Sequence, residues 1–242
     1  MDEINLEPFE QRIFSQNGED GVTMKLIELL YGNDVKGGYY VEFGVENGVE
    51  CNTRILREKY DWKGLQMDGS HENKEINLQK EFITKDNVLE LFAKHDVPEN
   101  INLLSVDIDY NDFYCLKKIL SKHTCDIIIC EYNATHLPNE DKIVIYNERQ
   151  IWDKSNYFGA SLLSLKKLGQ YFNYTLVYCD TKGVNCFLVN DEIIKTMKLK
   201  FKNVGYIFQL YRTPKYSSGP NGGHPQDPYN RRYITFEEAI NL

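Results

Sequence analysis

Gly38-Tyr39-Tyr40-Val41-Glu42-Phe43-Gly44-Val45-Glu46-Asn47-Gly48 is the stretch that decides how the chain is read. Residues 38–43 have the aromatic and β-branched character of a buried strand, and the run breaks at an acid-x-Gly-x-x-x-Gly turn formed by Glu42, Gly44 and Gly48. A helical pattern follows through Thr53-Arg54-Ile55-Leu56. Glycines at such a turn let the backbone approach a ligand, and the helix that follows aims its first amides at a negative group.

Working outward, strand-like runs alternate with helical patterns, the mark of a parallel sheet covered on both faces. Gly64-Leu65-Gln66-Met67-Asp68 reads as a second strand, Phe82-Ile83-Thr84 as a third, residues 102–107 as a fourth and residues 126–131 as a fifth. Between them, residues 88–94 read as a helix with Asp86 or Asn87 as its cap, and Phe113, Leu116, Ile119 and Leu120 share one helical face. After a helix opening at Ser161, residues 175–180 and 185–190 are strands joined by a four-residue turn, which forces them antiparallel. Upstream, Ser15-Gln16-Asn17-Gly18-Glu19-Asp20-Gly21 leads into an apolar-periodic helix, with Ser15 and Glu19 as capping groups; that helix is expected over the sheet edge or a cofactor. Downstream, residues 212–232 hold four of the seven prolines, so a long loop, either a lid or a disordered tail, precedes the last helical segment.

The 242 residues suffice for one domain with additions. The expected division is an N-terminal helical segment at 1–35, a central α/β domain at 36–200 and a C-terminal extension at 201–242. With a formal net charge of −8 and no run of Lys or Arg, nucleic acid is not expected as a partner. No apolar run approaches membrane-spanning length and residues 1–11 lack a leader pattern, so a cytoplasmic protein without membrane association is expected. Three of the six cysteines (Cys130, Cys179, Cys186) sit in apolar runs and read as reduced core residues. Cys125 and Cys130 lack a second pair at zinc spacing.

Asp68 ends the second strand, where a carboxylate can accept both hydroxyls of a ribose, and Asn87 follows the third, where a base would lie. Singly, Asp68-Gly69 reads as a plain turn and Asn87 as a plain cap. Combined with the glycine turn they suit one nucleoside-like ligand.

Five strands with helical crossovers closed by an antiparallel pair resemble the seven-stranded sheet of class I methyltransferases. Val106-Asp107-Ile108-Asp109-Tyr110-Asn111-Asp112 followed by Ile129-Cys130-Glu131-Tyr132-Asn133 resembles the FkbM-type members, as do the Ser15–Gly21 segment, the Glu42–Gly48 turn and Gly159-Ala160-Ser161. The chain departs from that pattern in Asp109 for Glu, Tyr110 for Gly and Glu42 for the commoner Asp. The resemblance implies a Rossmann-like α/β fold that binds S-adenosyl-L-methionine, with Glu42, Gly44, Asn47 and Gly48 around its methionine half, Asp68 on ribose, Asn87 near adenine and Gln16 on the methionine carboxylate. It implies an O-methyltransferase acting on a sugar, glycan or glycosylated metabolite, a small-molecule or glycan substrate; the sequence assigns no oligomeric state.

Asp107, Asp109, Asp112 and Glu131 gather four carboxylates at neighbouring strand ends, where something positive is needed among them. One answer is Mg²⁺ held by Asp107, Glu131 and Asn133, which would lower the pKa of an attacking hydroxyl. The other is that Asp109 and Asp112 cap the following helix, leaving Asp107 alone near the sulfonium. His136, just beyond the fifth strand, is the candidate catalytic base beside Asp107; its plain reading is a structural histidine. His224 and the aromatic and basic residues at 229–233 are candidates for acceptor contacts, or part of a solvated loop. The rivals to a methyltransferase are a nicotinamide-dependent oxidoreductase, disfavoured by the glycine spacing and the antiparallel ending, and a binding protein that keeps the fold without the chemistry.

Overall fold

The computed structural model describes residues 3–32 and 35–242. Residues 1–2 and 33–34, at the two ends of the expected N-terminal segment, lie outside the described residues.

In chain order the elements are α1 (Glu19–Tyr31), β1 (Tyr39–Phe43), α2 (Arg54–Tyr60), β2 (Lys63–Asp68), β3 (Leu78–Lys80), α3 (Val88–Lys94), β4 (Asn100–Val106), α4 (Asp112–Leu120) and β5 (Thr124–Glu131). They continue with β6 (Ile143–Val144), α5 (Leu162–Tyr171), β7 (Tyr174–Cys179), β8 (Asn185–Asn190), α6 (Asp191–Thr196), α7 (Ile207–Leu210), β9 (Tyr233–Ile234) and α8 (Phe236–Ala239).

Seven strands form one sheet in the order β3-β2-β1-β4-β5-β8-β7, with β6 and β9 paired separately. The pairings from β3 to β5 are parallel, while β8 runs antiparallel to both β5 and β7. That order, with one reversed strand inserted beside β5, is the class I methyltransferase arrangement, so the expected doubly wound, mostly parallel sheet is what the chain forms.

Alternation along the strands divides the core into two layers. Val41, Phe43, Leu104, Val106, Ile128 and Cys130 face one side, packed with Phe92 of α3, Leu116 of α4 and Leu165 of α5. Tyr40, Leu103, Ile127, Ile129, Phe187 and Val189 face the other, covered by Val22, Leu26 and Ile27 of α1 and Ile55 and Leu56 of α2. Helix α1 thus lies over the middle of the sheet, not over its edge. All six cysteines are buried and free.

The third strand is a correction. Residues 82–84 are not extended ladder; β3 is Leu78–Lys80, pairing Gln66 with Leu78 and Asp68 with Lys80. Phe82 is left 53% exposed beyond the strand end. A three-residue edge strand needs only one inward residue, here Leu78, so the polar segment carries no apolar run to reveal it.

Residues 212–224 pack against the sheet end. Lys215 N–H bonds Lys182 O at 2.9 Å, which docks residues 212–224 on the β7–β8 turn. At the other end of the same loop, a Cβ on Gly223 would lie 2.5 Å from Thr135 Cγ2, just beyond β5. No helix among the described residues is long and apolar enough to cross a membrane.

Candidate functional site

Parallel strands deliver their C-terminal ends to one edge of the sheet, and the crossovers leave a cleft there. A cavity of about 150 Å³ sits at that edge, walled by Gly44, Asp68, Phe82, Ile83, Asp109 and Trp152 among others. A larger cavity of about 630 Å³, lined by Phe9, Met24, Lys25 and Tyr60, includes none of these strand-end residues.

The turn after β1 is built for close approach. Gly44 has φ +67°, and a Cβ there would lie 1.7 Å from the Asp107 carbonyl oxygen. Gly48, at φ +74°, faces a side chain instead, its Cβ position 2.4 Å from Ile76 Cδ1. Glu42 is 3% exposed and braces the turn from below: Oε1 accepts from Asn52 N–H at 2.7 Å, and Oε2 accepts from Thr53 N–H at 2.9 Å and from its hydroxyl. Desolvation nonetheless pushes the Glu42 carboxyl upward. Asn47 is a turn residue, its Oδ1 accepting from Val49 N–H, and neither it nor Glu42 lines the cavity.

Asp68 does line it. Its Oδ1 accepts from Ser70 N–H and hydroxyl at 2.8 Å and from His71 N–H at 3.0 Å, whereas Oδ2 accepts only from Glu46 N–H at 3.0 Å. Despite the desolvation it suffers, those hydrogen bonds hold the carboxyl below its usual range, so it is ionised at neutral pH with acceptor capacity left on Oδ2. Asn87 caps α3 by position, but its side chain grips the preceding loop, accepting from Thr84 N–H and donating to Phe82 O, each at 2.8 Å. Asn87 is not among the cavity-lining residues; Phe82, whose carbonyl it binds, and Ile83 are.

One oxygen each of Asp107, Asp109 and Glu131 lies within 4.8 Å of the others. Asp109 has φ +64°, a left-handed kink that turns it back toward the strand ends. Asp107 and Glu131, both half-buried beside an exposed Asp109, are raised well above the usual carboxylate range, first by desolvation and then by negative charges: Asp109, Asp112 and Glu42 for Asp107, and Asp107, Asp112 and Asp109 for Glu131. Asp112 is pushed to about 7 by burial; its Oδ1 accepts from Ile108 N–H at 2.7 Å, and its Oδ2 has no partner. It is thus a buried brace of the loop before α4, not a solvated cap.

Asn133 does not join the carboxylates, which corrects its expected place among the metal ligands. It is fully buried and fully engaged, donating to Asn156 O and Phe158 O at 2.8 and 2.9 Å and accepting from Thr135. The third carboxylate near Asp107 and Glu131 is Asp109. His136 is 5% exposed, its ring lies edge-on to Tyr233 with centroids 4.6 Å apart, and Nε2 has no partner. Burial and the nearby Lys142 ammonium lower its pKa to about 4; like Asp107 and Glu131, it is not among the residues that line the cleft. Gln16 is exposed; its loop is held by Asp20, which accepts from Ile13, Phe14 and Ser15 N–H, and by Glu19, which accepts from Asn17 and Gly18 N–H and from Asn185 Nδ2, the last three at 2.9 Å.

Sequence reasoning missed two parts of this site. Asn185 is the strand partner of Glu131, is 4% exposed, and carries an unpartnered Oδ1. Trp152 lines the cleft with Gln150 and Ile151 from a loop with no strand or helix signal; its being one of only two tryptophans in the chain was the available hint.

No protein-family model and no curated protein matches the chain. Among solved structures it is similar to phosphoethanolamine N-methyltransferase 2 of Haemonchus contortus. With S-adenosyl-L-methionine bound, that protein matches at a TM-score of 0.33 and 10% identity, over 62% of this chain and 36% of the other. With phosphomonomethylethanolamine and S-adenosylhomocysteine bound, the values are 0.32 and 11%, over 70% and 44%. The chain spans less than half the length of that protein, and the fold assignment stands on strand order alone.

Proposed function

We propose that the chain is an S-adenosylmethionine-dependent O-methyltransferase whose acceptor is a hydroxyl of a sugar, glycan or glycosylated metabolite, with a divalent cation such as Mg²⁺ among its carboxylates. The observation that carries the reading is the Asp107, Asp109 and Glu131 group set beside the Gly44–Asp68 cleft, with no positive charge among the groups that perturb it.

The lining residues suit parts of the cofactor, in a cleft whose volume of about 150 Å³ lies below the roughly 300–1,000 Å³ of ligand pockets, so its walls must part to admit the whole molecule. Asp68 keeps acceptor capacity for a ribose hydroxyl, Phe82 and Ile83 offer an apolar wall for a base, and Gly44 leaves the β1 and β4 ends in direct contact. The cofactor would supply a methyl group on a sulfonium, an electrophile that needs no further activation. The carboxylate group favours that positive centre, and the protein's remaining task is to align an oxygen nucleophile and remove its proton.

The same group fits a hard cation, since three carboxylates offer oxygen ligands and Glu131 Oε2 has no other partner. Asp107, Asp109 and Glu131 would hold it, and its charge would lower the pKa of the acceptor hydroxyl. A carboxylate oxygen left free of the ion receives the proton, which moves the base from His136 to the β4 and β5 ends.

The acceptor class follows from the resemblance of residues 106–112 and 129–133 to FkbM-type enzymes. Methyl-labelled S-adenosylmethionine and a glycan library, incubated with Mg²⁺ or with chelator, test the whole reading. Label should enter a glycan and be lost on chelation; cofactor binding with no transfer to any acceptor would favour the binding-protein alternative.

A further inference from the structure

A further cavity, of about 500 Å³, opens beside the ends of α4 and α5, and none of its lining residues belongs to the Gly44–Asp68 cleft. That volume falls within the roughly 300–1,000 Å³ usual for small-molecule sites. Part of the wall is basic: Lys85 stands just before α3, and Lys117 and Lys118 occupy the last turn of α4. Tyr171, Phe172 and Ile240 give the same cavity an apolar part.

In a chain of net charge −8, none of these three lysines pairs with a carboxylate side chain among the described residues. Lys117 Nζ donates to the Ala239 and Ile240 carbonyls at 3.2 and 2.7 Å. Lys85 Nζ donates to the main-chain oxygen of Leu242 at 3.2 Å and stands 4.3 Å from the Tyr146 ring centroid. Lys118 is exposed, and its Nζ has no hydrogen-bond partner among the described residues. The acid on the wall, Asp86, has its Oδ2 engaged by the Tyr146 hydroxyl at 2.9 Å. Burial, followed by the charges of Lys85 and Lys118, lowers the Lys117 pKa, the effect of like charges gathered without a counter-ion.

Three ammonium groups on one wall suit an anion of more than one charge, and lysine binds phosphate as a point charge with three rotatable donors. An inorganic ion would meet that need and leave Tyr171, Phe172 and Ile240 in water. A phosphate carried on an apolar body covers them as well.

We infer that this cavity is a second ligand site, which takes a small phosphomonoester: the phosphate lies among Lys85, Lys117 and Lys118, and the apolar body against Tyr171, Phe172 and Ile240. The inference does not rest on the methyltransferase reading, and it holds or falls without it.

Titration calorimetry of the full chain with phenyl phosphate, inorganic phosphate and phenol, at low and at high KCl, tests it. Phenyl phosphate should bind one to one, more tightly than either of the other two probes, and more weakly as KCl rises. Lys118→Gln removes a charge that holds nothing in the fold, so its urea midpoint should match the wild type while phenyl phosphate weakens about threefold. The Lys85→Gln, Lys118→Gln double variant should weaken it about tenfold. Absence of saturable phenyl phosphate binding, affinity unchanged in the double variant, or inorganic phosphate or phenol binding as tightly as phenyl phosphate overturns the inference.

Discussion

Gly44 and Asp107 touch through their backbones: a side chain at 44 would have its first carbon 1.7 Å from the Asp107 carbonyl oxygen. Two neighbouring parallel strands, β1 and β4, are thereby locked at the end where the cleft opens. This contact fixes the distance between the glycine turn and the first carboxylate of the acidic group.

Gly44→Ala should therefore be costly on two counts. The left-handed φ costs about 1–2 kcal/mol for any L side chain, and the clash is with backbone, which cannot rotate away. We expect a loss of more than about 2 kcal/mol in urea unfolding. A loss below about 0.5 kcal/mol would mean that the two strand ends are not held together.

Asp68→Ala removes the ionised acceptor in the cleft. S-adenosylhomocysteine affinity should fall by about 1.5–3 kcal/mol, the worth of a charge-assisted hydrogen bond. Because Asp68 also ties Ser70 and His71, circular dichroism and Asp68→Asn serve as controls for the fold. Unchanged affinity in both variants would remove the ribose from this position.

Mg²⁺ should raise the unfolding free energy of the wild type by about 2.7 kcal/mol at roughly one hundred times its dissociation constant, because it binds the folded acidic group. Glu131→Gln should fold at least as well without Mg²⁺, since a like charge is gone, and lose that response. A response of equal size in the variant would place the ion elsewhere.

His136 predicts acid lability of a definite sign. Its folded pKa of about 4 lies below the ordinary histidine value, so the unfolded chain takes up a proton first as pH falls. Its stabilising contribution is complete above about pH 6.5 and is lost as pH drops through about 4, a change on the order of 3 kcal/mol. His136→Phe, which keeps a ring against Tyr233, should lose about 2–3 kcal/mol less than the wild type between pH 7.5 and pH 4.5 in urea titrations. Parallel losses would show that the imidazole is already solvated.

What the sequence made legible was whatever burial writes into apolar periodicity. β1, β2, β4, β5, β7 and β8 are buried runs, and each appears within two residues of its expected place. β3 is polar and short, and was read four residues late. Among site residues, Asp68 and Gly44 carry a local signature, strand end followed by turn, and line the cleft, whereas Glu42, Asn47 and Gly48 do not. The choice between Asp109 and Asn133 depended on a single left-handed φ at 109 and on which carbonyls lie near 133, and neither is written in residue type.

Titration calorimetry of the wild-type chain with S-adenosylhomocysteine, and separately with NADH, addresses the claim on which the rest stands. One equivalent of S-adenosylhomocysteine should bind with micromolar or better affinity, weakened in Asp68→Ala, while NADH gives no saturable heat. Saturable binding of NADH with silence toward S-adenosylhomocysteine would contradict the account and hand these strand ends to a different chemistry.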